Sequence, residues 1–215
     1  MTTSILIADD HKIVRDGLRT MLSKYPEIEV VGEAEDGRTT VRLVNQLSPD
    51  IVIMDIAMPD LNGIEATRQI IAEKPGVKVI ALSMHSDKRY ISAMFKAGAS
   101  GFLQKHCAFQ EMMTAIQTIK EDKTYLSPAI SGTVVEDFIR HPEKAESSVF
   151  SVLSSREREV LQLLSEGQNT KEIAAVLNVS IKTVEAHRVK IMSKLGIHSM
   201  AELTKYAVRE GLTSL

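Results

Sequence analysis

Residues with acidic, hydroxyl and amine side chains stand at the ends of four short apolar segments in the first half of this chain. Segment 4–8 is followed by Asp9 and Asp10, segment 51–54 by Asp55, segment 79–82 by Ser83, and segment 101–104 by Lys105. Short apolar runs separated by helix-length stretches are typical of buried parallel strands, whose carboxyl ends meet at one edge of a sheet. We therefore expect three carboxylates, a hydroxyl and an ammonium group to converge.

Clustered carboxylates repel one another unless a cation lies among them, and Mg²⁺ binds carboxylate, carbonyl and water oxygens. The predicted edge of the sheet therefore suits Mg²⁺. Because Mg²⁺ also binds phosphate, these residues indicate a site for phosphoryl chemistry. The alternative is that each residue merely ends its strand in solvent, as acids and hydroxyls often do. Because all five residues fall at strand ends together, a functional site is the better interpretation.

The stretches between these strands have the periodicity of five helices. Val30 and Val31 indicate one further strand before the turn at Asp36 and Gly37. The helical residues that we expect in the core are Ile13, Leu18, Leu22, Val41, Leu43, Leu47, Ile64, Ile70, Ile71, Ile91, Met94, Met112, Ile116 and Ile119. Strand and helix alternate throughout, which predicts an α/β domain with a doubly wound, five-stranded parallel sheet.

Length and composition limit the class of protein. The 215 residues suffice for two domains, and 44% apolar with 25% charged residues is ordinary for soluble protein. No apolar run approaches the roughly 18 residues of a membrane span, and the first strand begins too early for a signal peptide, so we expect a cytoplasmic protein with no membrane partner. One cysteine excludes an intramolecular disulfide, and the six histidines show no zinc-ligand spacing.

The composition changes after the α/β domain. Ser127 and Pro128 suit the start of a helix, residues 134–139 form a short amphipathic pattern, and residues 141–148 are polar with one proline. We predict a first domain over 1–122, a linker with a short helix over 123–149, and a smaller all-helical domain over 150–215.

Helix starts in the last domain are clearly marked. The capping residues are Ser154 before Glu157, Asn169 before Glu172, Ser199 before Glu202, and Ser180. The predicted helices 171–177 and 181–195 are joined by only three residues, which is typical of a helix-turn-helix. Residues 169–195 contain five basic and two acidic side chains, so this part of the chain has a modest cationic surface.

Helical projection predicts which side of the 181–195 helix is exposed. Val184, Ile191 and Leu195 fall on one side and should face the core. The opposite side contains Lys182, Glu185, Ala186, Val189 and Ser193. Glu185 could accept from cytosine, and Ala186 and Val189 could pack on thymine methyl groups. The candidates for phosphate contacts are Lys182, Thr183, Arg188, Lys190 and Lys194. The alternative is a solvated helix in an ordinary bundle.

Two sets of motifs resemble known families. Residues 1 to about 120 resemble a response-regulator receiver domain, which has a flavodoxin-like fold, through Asp9-Asp10, the segment from Asp55 to Gly63, Ser83 and the segment from Gly101 to Lys105. Residues from about 150 resemble a LuxR-type DNA-binding domain, through segments 153–161, 166–167, 171–174, 183–188 and 194–196. In this order they resemble the NarL/FixJ class of transcriptional response regulators.

The resemblance implies roles for individual residues. Asp55 would accept a phosphoryl group from a sensor histidine kinase, and Asp9, Asp10, Asp55 and the backbone carbonyl of Ala57 would hold Mg²⁺. Lys105 and Ser83 would bind the phosphoryl group, with Phe102 as the aromatic that responds to Ser83. Lys171 and His187 lie in the matched DNA-binding motifs.

The resemblance also implies partners. These are double-stranded promoter DNA, RNA polymerase, and a second copy of the chain when phosphorylated, with the last helix, 199–210, as a dimer contact. Packing of that helix on its own domain is the alternative. We expect a regulator and not an enzyme.

Two departures from the usual receiver pattern bear on phosphate lifetime. His106 replaces a common proline, and Met84 replaces a usually small residue and with His85 would restrict access to the phosphoryl group. The sequence leaves two alternative functions. A haloacid-dehalogenase-type phosphohydrolase needs an acid two residues after its nucleophile, where this chain has Ala57. The second alternative is a receiver whose helical domain binds a protein instead of DNA.

Overall fold

The apolar segments of the first half form parallel strands of one sheet in a computed structural model, which describes residues 2–84, 87–107, 109–132 and 149–213. The strands are β1 (Thr3–Ala8), β2 (Ile28–Ala34), β3 (Ile51–Asp55), β4 (Lys78–Ser83), β5 (Gly101–Gln104) and β6 (Tyr125–Leu126). Their order in the sheet is β2-β1-β3-β4-β5-β6, and every neighbouring pair is parallel. The carboxyl ends of β1, β3, β4 and β5 therefore lie side by side.

Helices cover both faces of this sheet. They are α1 (Lys12–Leu22), α2 (Gly37–Leu47), α3 (Gly63–Glu73), α4 (Lys88–Ala97), α5 (Phe109–Lys120) and a helical segment at 128–132, α6. Buried side chains of α1 and α5 share one core with alternate residues of the strands. The helices α2, α3 and α4 contact β1, β3 and β5 respectively, on the other face. The predicted doubly wound α/β architecture is confirmed.

The sheet has six strands, whereas the sequence predicted five. Tyr125 and Leu126 pair with Gly101 and Phe102, so the sheet continues into the stretch predicted as linker. A two-residue strand between polar residues has too few positions to show a periodicity. The predicted helix start at Pro128 is present, while the remainder of that prediction, 133–148, lies outside the described residues.

Two of the predicted core residues are exposed. Ile13 in α1 is 82% exposed and Leu47 at the end of α2 is 42% exposed. Ile13 precedes Leu18 by five positions, which at about 100° per residue places the two side chains far apart around the helix. The core of α1 is formed by Leu18 and Leu22, which are separated by four.

The second unit is entirely helical in its described residues. Its helices are α7 (Val149–Val152), α8 (Ser155–Ser165), α9 (Thr170–Val176), α10 (Ile181–Leu195) and α11 (Met200–Arg209). The chain forms two compact units, Met1–Arg140 and His141–Leu215. Across the described parts of both units, no helix combines the length and the apolar character needed to cross a bilayer.

Candidate functional site

The first candidate site is an acidic pocket at the carboxyl ends of β1 and β3. Asp9 directly follows β1, Asp55 ends β3, and these neighbouring strands pair up to Ala8 and Met54. Lys105, just past β5, places its Nζ 2.7 Å from Oδ2 of Asp55 and 2.8 Å from Oδ2 of Asp9. Asp9 and Asp55 are almost fully buried. The structure thus brings together the two carboxylates and the amine that the strand ends predicted.

Asp10 and His11 form the more exposed side of the pocket. His11 Nδ1 lies 2.6 Å from Oδ1 of Asp10 and 3.2 Å from Oδ1 of Asp9. The backbone amide of His11 also donates to Asp9 Oδ1, at 2.9 Å. Sequence reasoning assigned no role to His11, although its position directly after two acids could have suggested one.

The charges in this pocket perturb one another. Burial raises the pKa of Asp55 from its ordinary 3.8 to about 6; repulsion by Asp9 adds to the rise, and Lys105 opposes it. Burial lowers the pKa of Lys105, but the attraction of Asp55 and Asp9 and the hydrogen bond to Asp55 outweigh burial, so that this pKa lies above its ordinary 10.5. Lys105 is therefore a permanent cation, while Asp55 is a carboxylate of unusual basicity.

The pocket has the donors that a hard divalent cation needs. One ligand atom from each of Asp9, Asp10, His11 and Asp55 lies within 4.8 Å of the others. The buried oxygens Asp9 Oδ2 and Asp10 Oδ1 accept no hydrogen bond of normal geometry from the described residues. Carboxylate oxygens with free lone pairs are the donors that Mg²⁺ prefers, so these residues fit that ion. Ala57 donates its backbone amide to Asp55 Oδ1 at 3.4 Å, and its carbonyl stays a predicted ligand.

Ser83 and Phe102 lie on the strands beyond Asp55. Ser83 ends β4, next to β3, and its backbone carbonyl accepts a hydrogen bond of 2.8 Å from the amide of Lys105. Phe102 is fully buried in β5, opposite Ala81 of β4. Met84, after Ser83, is 63% exposed, and His85 lies outside the described residues. Ser83 and Phe102 are therefore on adjacent strands.

Two close contacts fix the loops of the pocket. Arg15 of α1 donates to the backbone carbonyl of Asp9 at 2.6 Å, and its Nε lies 3.5 Å from Glu33 of β2. At Gly63, the first residue of α3, a Cβ would lie 2.0 Å from the carbonyl oxygen of Asp55. Sequence reasoning gave Arg15 no role, because nothing in its local pattern shows how far a helix side chain reaches.

The second candidate site is the helix-turn-helix of the other unit. Ser154 and Asn169 form complete capping boxes at the starts of α8 and α9, and Ser180 accepts from the amide of Thr183 at 3.1 Å to cap α10. Asn178, with φ of 51°, reverses the chain between α9 and α10. The predicted helix starts are confirmed, whereas the turn has four residues, 177–180, and not three, because α9 ends at Val176.

The exposed side of α10 is the one predicted by projection. Val184 and Ile191 are buried in the unit's core and Leu195 packs partly against it. All five residues predicted on the opposite side are exposed: Lys182, Glu185, Ala186, Val189 and Ser193. Val189, at 67% exposed, is an apolar side chain that the described residues of its own unit leave largely uncovered.

The remaining predicted DNA contacts differ in accessibility. Lys171 and Lys190 are exposed, whereas Thr183, His187 and Arg188 are half-buried. Lys194 donates to the buried carboxylate of Glu157 in α8 at 2.7 Å. Burial alone would raise the pKa of Glu157, but its bonds to Lys194 and Ser154 lower it below the ordinary 4.5. Lys194 therefore holds α10 against α8.

The fold and pocket define a class: an α/β unit with a buried acidic pocket at the carboxyl ends of its strands, followed in the chain by a helix-turn-helix unit. The family model described as response regulator receiver domain matches residues 5–117, and that described as bacterial regulatory proteins, luxR family, matches 151–207. The chain belongs to the two-component response regulators that join a receiver domain to a LuxR-type DNA-binding domain.

Individual relatives have the same two-domain architecture. The response regulator UvrY of Escherichia coli K12 is 39% identical over 97% of this chain and 95% of its own length. The oxygen regulatory protein NreC of Staphylococcus carnosus is 37% identical over 97% of this chain and 98% of its own length. A solved structure of RcsB from Salmonella enterica serovar Typhimurium, bound to the promoter rprA in the presence of the phosphate mimic BeF₃⁻, is also similar. It is 29% identical in sequence, the match covers 96% of this chain and 98% of RcsB, and the TM-score is 0.64. This chain is accordingly a DNA-binding transcriptional response regulator of a two-component system.

Proposed function

We propose that Asp55 is the phosphoacceptor, that a sensor histidine kinase is the donor, and that the modification controls binding of α10 to promoter DNA. The observation that supports this proposal best is the contact of Lys105 with both Asp9 and Asp55 in a buried pocket. We further propose that the chain works in the cytoplasm as a regulator without catalytic turnover of a substrate. RNA polymerase is a further proposed partner.

In the proposed reaction, an Oδ of Asp55 attacks phosphorus, the O–P bond forms, and the donor histidine nitrogen keeps the electron pair of the broken N–P bond. Asp9, Asp10, Asp55 and the Ala57 carbonyl would hold Mg²⁺, which when bound neutralises the phosphoryl oxygens. Lys105 keeps its charge throughout because its pKa is raised, so it can move from Asp55 to the phosphoryl group. The raised pKa of Asp55 makes that carboxylate a better nucleophile at neutral pH.

The switch that follows would begin beside Asp55. A phosphoryl oxygen replaces the carboxylate as the partner of Lys105 and as an acceptor for the Ser83 hydroxyl. Ser83 and Phe102 are on adjacent strands, β4 and β5, so a shift of one can affect the other across a single pair of strands. We propose that this pair converts the local charge into a change at the surface of the receiver.

For DNA binding, we propose that α10 enters the major groove with its exposed side. Glu185, Ala186 and Val189 would meet base edges there. The residues that we propose for phosphate and sugar contacts are Lys171, Lys182, Thr183, His187, Arg188, Lys190 and Lys194. The ion pair of Lys194 with Glu157 supports a weaker phosphate contact for Lys194 than for the other lysines, because a DNA phosphate must compete with a buried carboxylate.

We propose that phosphorylation favours a homodimer on paired half-sites. Leu203 and Ala207 of α11 are buried in their own domain, which supports packing as their role. The exposed residues of α11 are Ala201, Glu202, Lys205 and Arg209, and Ala201 is the small apolar residue among them that can meet a second copy. A charged substitution at Ala201 should therefore reduce cooperative binding without unfolding the domain.

Beryllofluoride, which mimics a phosphoryl group on an aspartate, tests the proposal. The full chain should dimerise and bind duplex DNA more tightly with beryllofluoride and Mg²⁺, as measured by light scattering and fluorescence anisotropy. Asp55→Asn should not respond, and Asp10→Asn should need more Mg²⁺ to respond. An undiminished response of Asp55→Asn would show that the acceptor lies elsewhere.

A further inference from the structure

Among the described residues, the imidazole of His11 is the possible metal ligand of the acidic pocket that the phosphoryl-transfer proposal leaves unused. Its Nδ1 is directed at Asp10 and Asp9, at 2.6 and 3.2 Å from one Oδ1 of each. Its side chain is 61% exposed, while that of Asp9 is fully buried. His11 therefore stands at the outer side of the pocket with a nitrogen facing inward.

The spacing of these atoms suits two ligands of one ion. In an octahedral ion with bonds of about 2.1 Å, neighbouring ligand atoms are about 3.0 Å apart. The distances from His11 Nδ1 to the two carboxylate oxygens lie on either side of that value. An ion bound to Asp9 and Asp10 would therefore find this nitrogen at ligand distance with little movement of the side chain.

The loop around His11 is held in place by other contacts. The amide of His11 donates to Asp9 Oδ1, and Arg15 holds the carbonyl of Asp9. The imidazole makes no capping hydrogen bond to α1, although His11 is the residue before that helix. Its orientation toward the carboxylates is thus set by the loop and does not serve to start the helix.

Nitrogen and oxygen donors select different ions. Mg²⁺ prefers oxygen ligands, whereas manganese, cobalt, nickel and zinc ions also accept imidazole, and their affinity for such sites rises from manganese to nickel. We propose that His11 is a ligand that raises the affinity of this pocket for imidazole-accepting transition ions relative to Mg²⁺. This inference rests on the metal site of the proposed function and adds a determinant of its selectivity.

The affinities of the tag-free full chain for Ni²⁺ and for Mg²⁺, measured by titration calorimetry, test the proposal. His11→Ala should lose roughly tenfold or more in Ni²⁺ affinity and less than about threefold in Mg²⁺ affinity. His198→Ala is the matched control, because it removes an exposed histidine from the other unit. Asp10→Asn should weaken the binding of both ions.

A spectroscopic measurement identifies the ligand directly. With Mn²⁺ bound to the wild type, pulsed electron paramagnetic resonance should show modulation from a coordinated nitrogen, and His11→Ala should lose it. Equal losses of Ni²⁺ and Mg²⁺ affinity, unchanged Ni²⁺ affinity, or nitrogen modulation that persists in His11→Ala would each overturn the inference while leaving the phosphoacceptor site in place. A wild type that binds no Mg²⁺ would overturn the proposed metal site together with it.

Discussion

Asp55→Asn should stabilise the receiver in the absence of metal, because it removes a charge that the fold disfavours. The side chain is 2% exposed, and its pKa is raised from 3.8 to about 6. A carboxyl whose pKa is raised by folding binds its proton more tightly in the folded state, so stability falls as pH rises from about 4 to about 6. Above about pH 6 the ionised Asp55 destabilises the fold to its full extent.

The magnitude follows from the size of the shift. A difference of about two pKa units corresponds to about 3 kcal/mol, which we take as the upper limit of the gain for the neutral amide at pH 7. The raised pKa already includes the attraction of Lys105, and Lys105 keeps Asp9 as a partner. At pH 4 the gain should be less than about 1 kcal/mol, since the unfolded carboxyl is then half protonated.

Hydrogen exchange of the full chain in EDTA is the suitable assay, because peptides from β1 and β3 report the opening of the receiver separately from that of the other unit. Asp16→Asn, a partly exposed acid in α1, is the control and should change stability by less than about 0.5 kcal/mol. Saturating Mg²⁺ should reduce the difference in stability between Asp55→Asn and the wild type, since the bound ion stabilises the wild type by mass action. A destabilised Asp55→Asn at pH 7 would refute the reasoning.

Three further predictions concern other parts of the chain. Gly63→Ala should destabilise the receiver by about 1–3 kcal/mol or more, because the added Cβ would lie 2.0 Å from a carbonyl oxygen. Gly17→Ala in α1 has open space around the added Cβ and should be neutral or stabilising, and thermal unfolding compares the two variants. Glu157→Gln should cost the helical unit about 1 kcal/mol at pH 7, as urea unfolding would measure. Because folding lowers the pKa of Glu157 from 4.5, the difference from the wild type should disappear as pH falls from 4.5 through that lowered pKa. In anisotropy titrations at two salt concentrations, Lys182→Ala should weaken binding to all duplexes and reduce the salt slope by about one counterion, while Val189→Ala should change preference at one or two base pairs by roughly 1–3 kcal/mol.

The parts of the fold that the sequence predicted are those with strong local patterns. Strands such as Ile51–Asp55 are buried on both faces and read as continuous apolar runs. The capping boxes at Ser154 and Asn169 are local chemistry and were predicted from spacing alone. The two-residue strand Tyr125–Leu126 was missed because its formation depends on pairing with β5 and not on its own pattern.

The site was predicted to the level of strand ends and no further. Asp9, Asp55 and Lys105 meet because parallel strands end at one edge, which topology dictates. The roles of Arg15 at the Asp9 carbonyl and of His11 at the acids depend on side-chain rotamers across a loop, which periodicity does not reveal. The same holds for the ion pair of Lys194, a residue predicted for DNA contact from helix position alone.

The most direct test of the account is phosphorylation of the full chain by a small-molecule phosphoryl donor in the presence of Mg²⁺, followed on one sample by peptide mass spectrometry and DNA-binding anisotropy. The duplex is one selected by the phosphorylated chain from a random library. The account predicts one phosphoryl group on Asp55, tighter salt-dependent binding to the selected duplex, and neither change in Asp55→Asn. A phosphoryl group on another residue, or a donor-dependent gain in DNA affinity by Asp55→Asn, would contradict it.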